Sequence, residues 1–252
     1  MTPSPPVSRF LVAGVWCGVV LLVAIGVAAA LGRSLFVADL ATRGELVRER
    51  ALQALGRDDP FRLQRPEEIR LVDRRFAAHA VVTLLHVLPG GVFLVLAPFQ
   101  LSSRIRNRHI RFHRWSGRIL VLVGFVTVLT GLYFGLLMPY GGPAEALAIA
   151  LVGGLFLTAV GKAVLAVRRG DVARHREWMI RAFAVTLGIS TDRLVGAVVD
   201  LVLTPAGLGL RPAFVLSIWT GWALTIGAAE LWIAHTRSHA HLVAVPAGEL
   251  RL

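Results

Sequence analysis

Along this chain the apolar residues come in long, nearly unbroken runs, separated by short links that are either rich in arginine or rich in proline and glycine. Six runs stand out, at roughly 10–31, 76–101, 117–137, 144–167, 182–203 and 213–235. A bilayer core about 30 Å thick is crossed by roughly 20 residues of helix, and each run meets that length. The runs are uniformly apolar instead of alternating, so membrane strands are not expected. The fold class expected is all-α, a polytopic membrane helical bundle of about six transmembrane helices.

The links orient the expected helices. Arg104, Arg106, Arg108, Arg111, Arg114 and Arg118 lie between the second and third runs, and Arg168, Arg169, Arg174, Arg176 and Arg181 between the fourth and fifth. On the other side, MPYGGPAE has no basic residue and TPAGLGLRP has only Arg211. Arginine-rich short links face the cytoplasm, so both termini are expected there, in a multi-pass protein of the bacterial cytoplasmic membrane.

Four segments follow: an N-terminal transmembrane anchor at 1–32, an extracytoplasmic helical segment at 33–75, a five-helix membrane core at 76–236 and a cytoplasmic tail at 237–252. The first run ends in Ala28, Ala29 and Ala30, which resembles a signal-peptide cleavage site, but it is long for one, and an uncleaved anchor is expected. Between Arg33 and Arg75 ten arginines nearly balance eight acids. There Asp39 is placed to cap a helix ending at Gly56, and Pro66 with Glu67 and Glu68 to start a second one that leads into the second span.

Composition fits this reading: 56% of the 252 residues are hydrophobic, and the mean hydropathy is +0.68. In a soluble protein the net charge of +12 would suggest nucleic acid. Here nearly all the basic groups lie outside the apolar runs, where they orient helices, and nucleic acid is not an expected partner. The lone Cys17 forms no intramolecular disulfide and no cysteine cluster. There is no HExxH and no glycine-rich phosphate loop after a strand, and no metal site is expected. His235, His239 and His241 in HTRSHAH are read as a frayed, solvated end.

Ionisable groups inside spans are costly and are functional candidates by default. His79 and His86 lie about 10.5 Å apart on one face of the second span. The LPGG at Leu88 to Gly91 predicts a kink just after His86. Lys162 lies near the cytoplasmic end of the fourth span, Asp192, Arg193 and Asp200 lie in the fifth, and Glu230 lies in the sixth. By depth His86 matches Arg193 near the midplane, and His79 matches Asp200 at an outer level. This polar membrane site is either functional or a buried cluster that fixes packing.

Two heads at the cytoplasmic ends of spans repeat a pattern. His113, Arg114, Trp115 and Arg118 open the third span, and His175, Arg176, Trp178 and Arg181 open the fifth. With the histidine of the second span, PFQL at 98–101, HRWSGR at 113–118, HREWMIRAFA at 175–184 and TDR at 191–193, the chain resembles bacterial membrane proteins grouped as domain of unknown function 2306 over roughly residues 76–200. The resemblance implies a membrane bundle but no particular activity. Its motif positions fall on His79, Arg104, His113, Arg114, Gly117, Arg118, His175, Arg176, Trp178, Met179, Arg181 and Arg193, with His86 the alternative to His79.

Three function classes stay open. In the first, His113 and His175 bind one b-type haem, with Arg114, Arg118, Arg176 and Arg181 near its propionates, for electron transfer linked to a redox partner or a quinone. That layout resembles six-helix b-type cytochromes, but the fourth span has no histidine for a second haem. In the second, the same heads clamp membrane-lipid phosphates or an anionic ligand, and His86, Asp192 and Arg193 form a proton- or substrate-responsive centre of a non-redox transporter. In the third, all these groups serve anchoring and packing.

Overall fold

The computed structural model describes residues 9–43 and 67–244. These fold into eight helices: α1 (Arg9–Arg43), α2 (Glu67–Ala78), α3 (Ala80–Leu101), α4 (Ser103–Arg108), α5 (Ile110–Leu137), α6 (Pro143–Arg168), α7 (Val172–Val202) and α8 (Leu210–Ala244). The described residues contain no strand. Among the described residues six stretches are long and apolar enough to cross a membrane: Arg9–Ala38, Ala80–Leu101, Ile110–Leu137, Pro143–Arg168, Val172–Val202 and Leu210–Arg237. The protein is an all-α, multi-pass membrane protein, as the run pattern predicts.

Several boundaries differ from the hydropathy reading. Helix α5 begins at Ile110 instead of near 117, and α7 at Val172 instead of near 182, so both His-Arg heads are helical. Hydropathy drops at the arginines, but arginine is a good helix former and the backbone ladder continues through it. At α7 a cap sets the start, whereas His109 at the start of α5 makes no side-chain cap. The Asp171 side chain accepts from Arg174 N at 2.9 Å to open α7, and Gly170, at φ 79°, ends α6 just before it.

Helix α1 runs unbroken through Asp39 to Arg43, so Asp39 starts no new helix; the expected end of that helix at Gly56 lies outside the described residues. Helix α2 is helical from Glu67, the first described residue there, and the expected start at Pro66 lies outside the described residues. Helix α3 continues through Pro89 and Pro98, and a break between helices falls at His79. There the Thr83 hydroxyl donates to Phe76 O at 2.8 Å, occupying a carbonyl that the break releases. At the other end α8 stays helical to Ala244, through the stretch expected to fray.

The chain forms two compact units, one of Gly26–Gly153 and one of Met1–Ile25 with Gly154–Leu252. In the first, Phe93, Leu94 and Ala97 of α3 and Leu120 of α5 are buried. Gln100 Nε2 donates to Ser116 Oγ at 2.5 Å, joining α3 to α5. Gly153 of α6 faces Leu132 of α5, where an added Cβ would lie 2.9 Å from Cδ2. Small residues of this kind let membrane helices approach closely, since lipid supplies no hydrophobic drive between them.

In the second unit α7 and α8 form the main pair. A continuous stretch of α7, from Ala182 to Val185, is buried together with Leu187. Trp222 of α8 lies over Gly188 and donates Nε1–H to Val185 O at 2.9 Å. At Gly221 the backbone of α8 comes so close to α7 that a Cβ would lie 2.6 Å from Asp192 N.

Candidate functional site

The second unit carries a charged mouth where α6 ends, α7 begins and the last turns of the α8 span pass. The tight turn at Gly170 returns the chain, and His175 Nδ1 lies 2.9 Å from Ala163 O on α6. A carbonyl only accepts, so Nδ1 is the donor of this contact. Arg176 Nη1 donates to Thr236 Oγ1 of α8 at 3.4 Å.

Two ion pairs tie α7 to α8 at this end. Arg181 binds Glu230 through both nitrogens, with Nε and Nη2 at 2.6 and 2.7 Å from the two carboxylate oxygens. One turn earlier Glu177 pairs with Arg237, again through both oxygens. Planar forks of this kind fix geometry as well as charge. Trp178 sits among the cations, with Lys162 Nζ 4.5 Å and Arg181 Cζ 4.6 Å from its ring centroid.

A cavity of about 600 Å³ opens at this mouth. Lys162, Arg169, Arg174, Arg181 and Arg237 line it, as do Asp171 and Glu177. Its apolar wall includes Leu165, Ala166 and Trp178. A concave space walled by convergent cations and one aromatic ring is suited to an anion that also has an apolar part.

The other head, on α5, belongs to the first unit. His113 is half-buried, while Arg114 and Arg118 are exposed. Beneath them Ser116 is buried and its hydroxyl donates to Phe112 O at 2.6 Å. The two expected haem ligands, His113 and His175, thus belong to different units.

The expected midplane groups are divided in the same way. In the first unit His86 Nδ1 lies 2.9 Å from Thr127 O and 3.3 Å from Thr130 Oγ1, so its ring proton also points at a backbone carbonyl. Gly131 gives the ring its room, because a Cβ there would meet His86 Cε1 at 3.0 Å. His79 takes Tyr133, with the hydroxyl 3.4 Å from Nδ1. Arg33 and Asp73 pair at 2.6 Å nearby in the chain order of this unit.

In the second unit Arg193 donates Nη1–H to Ile189 O of its own helix at 2.7 Å. Asp192 is half-buried where Gly221 approaches, and Asp200 is exposed. Among the described residues no group of three or more His, Cys, Asp or Glu is arranged to hold a metal ion.

The sequence reading singled out Lys162, Arg181 and Glu230 separately, and missed Arg169, Arg174 and Arg237 as parts of one cavity. The unexplained acid Glu230 was a usable signal, since a carboxylate near a span end asks for a cation at equal depth. The pairing of Glu177 with Arg237 joins residues 60 apart and left no local trace.

The profile of a family described as "Predicted membrane protein (DUF2306)" matches residues 83–233, which include α5, α6, α7 and most of α3 and the α8 span. No curated protein and no solved structure matches the chain.

Proposed function

The chain belongs to the DUF2306 membrane protein family, and we propose that it binds a phosphate-bearing anionic ligand in the cavity between α6, α7 and α8. The observation that carries this reading is the lining itself: five cations and a tryptophan converge on about 600 Å³ at one end of the membrane-spanning helices. Ordinary topology needs arginines near the membrane surface but does not need them around a concavity. The positive-inside rule puts this mouth at the cytoplasmic face, and the bacterial cytoplasmic membrane is the corresponding location. Phosphate groups of anionic lipids or of a soluble metabolite are the chemistry available there.

Purified protein in a neutral detergent tests the reading. Short-chain phosphatidylglycerol, phosphatidate and inorganic phosphate are titrated calorimetrically against the native protein and against Lys162→Gln with Arg169→Gln. Saturable binding of at least one probe, weakened about tenfold by the double substitution, supports the site. Heats that do not saturate for any of the three, or that the substitutions leave unchanged, overturn it.

A second reading keeps one specific support. The ring proton of His175 on Ala163 O is the arrangement by which a backbone carbonyl orients an axial imidazole. Against it, Arg181, expected near a haem propionate, is taken by Glu230. Bound haem would supply one-electron redox chemistry. Absorbance of oxidised and dithionite-reduced protein, expressed with haem available, decides between them. A Soret band lost in His175→Asn would favour haem, because asparagine can keep the Ala163 contact but has no Nε2. No band ends that reading.

A further inference from the structure

The charges around the cavity do more than mark it as positive. Resting on the ligand reading above, we infer that the occupant is a phosphomonoester dianion and not a phosphodiester. Of the five lining cations, Arg174 is matched by Asp171, Arg181 by Glu230 and Arg237 by Glu177. Five cations less three carboxylates leave an excess of two positive charges.

The excess has an address. Lys162 of α6 and Arg169 of the turn that follows it form no ion pair among the described residues, and both line the same cavity. They are two helical turns apart, about 10.5 Å along the axis, and both side chains are long enough to lean toward a group between them. Lysine supplies a mobile point charge and arginine a planar fork, a pair suited to a tetrahedral group with three terminal oxygens. A diester has one charge and two such oxygens, and would leave one cation of the site unmatched.

The cavity is larger than a bare phosphate needs, and its Leu165, Ala166 and Trp178 wall suits the substituent of an ester. Phosphatidate-like lipid and a soluble phosphomonoester share this headgroup chemistry. The carboxylates are already forked onto Arg181 and Arg237, so the rim is held in shape before a ligand arrives.

The test compares two short-chain lipids of equal acyl length, phosphatidate and phosphatidylglycerol, by calorimetry on the intact protein between pH 5 and pH 8. A monoester loses its second proton near pH 6, so only phosphatidate changes charge across this range. The groups facing the cavity are Lys162 from α6, Arg169 and Asp171 from the turn between α6 and α7, Arg174, Glu177 and Arg181 from α7, and Arg237 from α8, with Glu230 paired to Arg181. Any titration of these or of neighbouring His175 acts on both lipids, so the affinity ratio isolates the ligand's own charge.

Phosphatidate is expected to bind about tenfold tighter at pH 8, with the ratio approaching one at pH 5. Arg169→Gln should bring the ratio toward one at pH 8 as well. Glycerol phosphate binding as tightly as phosphatidate assigns the site to a soluble monoester, and weaker binding assigns it to lipid; the dianion assignment stands in both cases. Equal affinity for the two lipids at pH 8, or a ratio independent of pH, overturns the dianion assignment while leaving the anion site intact. Binding of neither lipid nor of glycerol phosphate removes both.

Discussion

His86 on α3 and His175 on α7 make the same contact, each with Nδ1 2.9 Å from a backbone carbonyl of the neighbouring helix. Their surroundings differ. His86 is pressed between Gly131, Thr130 and the edge of Phe134, whose ring centroid is 6.4 Å away. His175 stands on the head of α7 between Arg174 and Glu177, both of which line the charged cavity. The shared contact is a way of joining two helices where lipid gives no hydrophobic drive for doing so. It does not by itself identify a site. What separates the two regions is unbalanced charge around open space, present at the mouth of α6, α7 and α8.

If close packing is the business of the helix seams and charge the business of the mouth, substitutions should divide accordingly. The largest expected effect is Gly221→Ala, which would put a Cβ 2.6 Å from Asp192 N and 2.7 Å from its Cα. Backbone cannot yield as a flexible side chain does, so α7 and α8 must part, at about 3 kcal/mol. Thermal unfolding in detergent should show a lower midpoint, and an unchanged midpoint would mean the seam is looser than described.

Next is His86→Ala, which removes both the hydrogen bond to Thr127 and the ring that fills the space beside Gly131. A loss of about 2 kcal/mol is expected. His86→Asn should recover part of it, because the asparagine amide can donate from a position near that of Nδ1. Equal losses in the two variants would remove the hydrogen bond from the account of this seam.

Glu230→Gln should cost less, about 1 kcal/mol, since the glutamate is 47% exposed and the pair is screened accordingly. It also frees the charge of Arg181, so anionic ligands should bind more tightly as stability falls. A fall in both would place Glu230 in support of the cavity shape only. The smallest stability effect belongs to Lys162→Gln, within about 0.5 kcal/mol. Its effect on anion affinity is nonetheless measurable, about threefold, as one half of the loss expected when Arg169 is removed with it.

The number and type of membrane helices were legible because long apolar runs admit few other structures. The helix ends were less so, since hydropathy responds to arginine while the backbone responds to caps such as Asp171 and breaks such as Gly170. His79 shows the same limit: Pro89 was the visible helix breaker, yet α3 continues through it and a break between helices lies at a histidine with no such mark. At the site, the repeated His-Arg pattern pointed to two equivalent heads. Only the head on α7 adjoins the cavity described here, because Lys162, Arg169 and Arg237 join it from outside α7. Those partners come from α6 with its following turn and from α8, and no spacing along α7 reveals them.

The central claim, that the mouth of α6, α7 and α8 holds a phosphate-bearing anion, is tested most directly by one calorimetric titration. Short-chain phosphatidate is added at pH 8 to the native protein and to Lys162→Gln/Arg169→Gln, both first shown to unfold at the same temperature. Saturable binding to the native protein, at least about tenfold weaker in the double variant, is the expected result. Equal binding to the two proteins, with no dependence on Lys162 and Arg169, would contradict it.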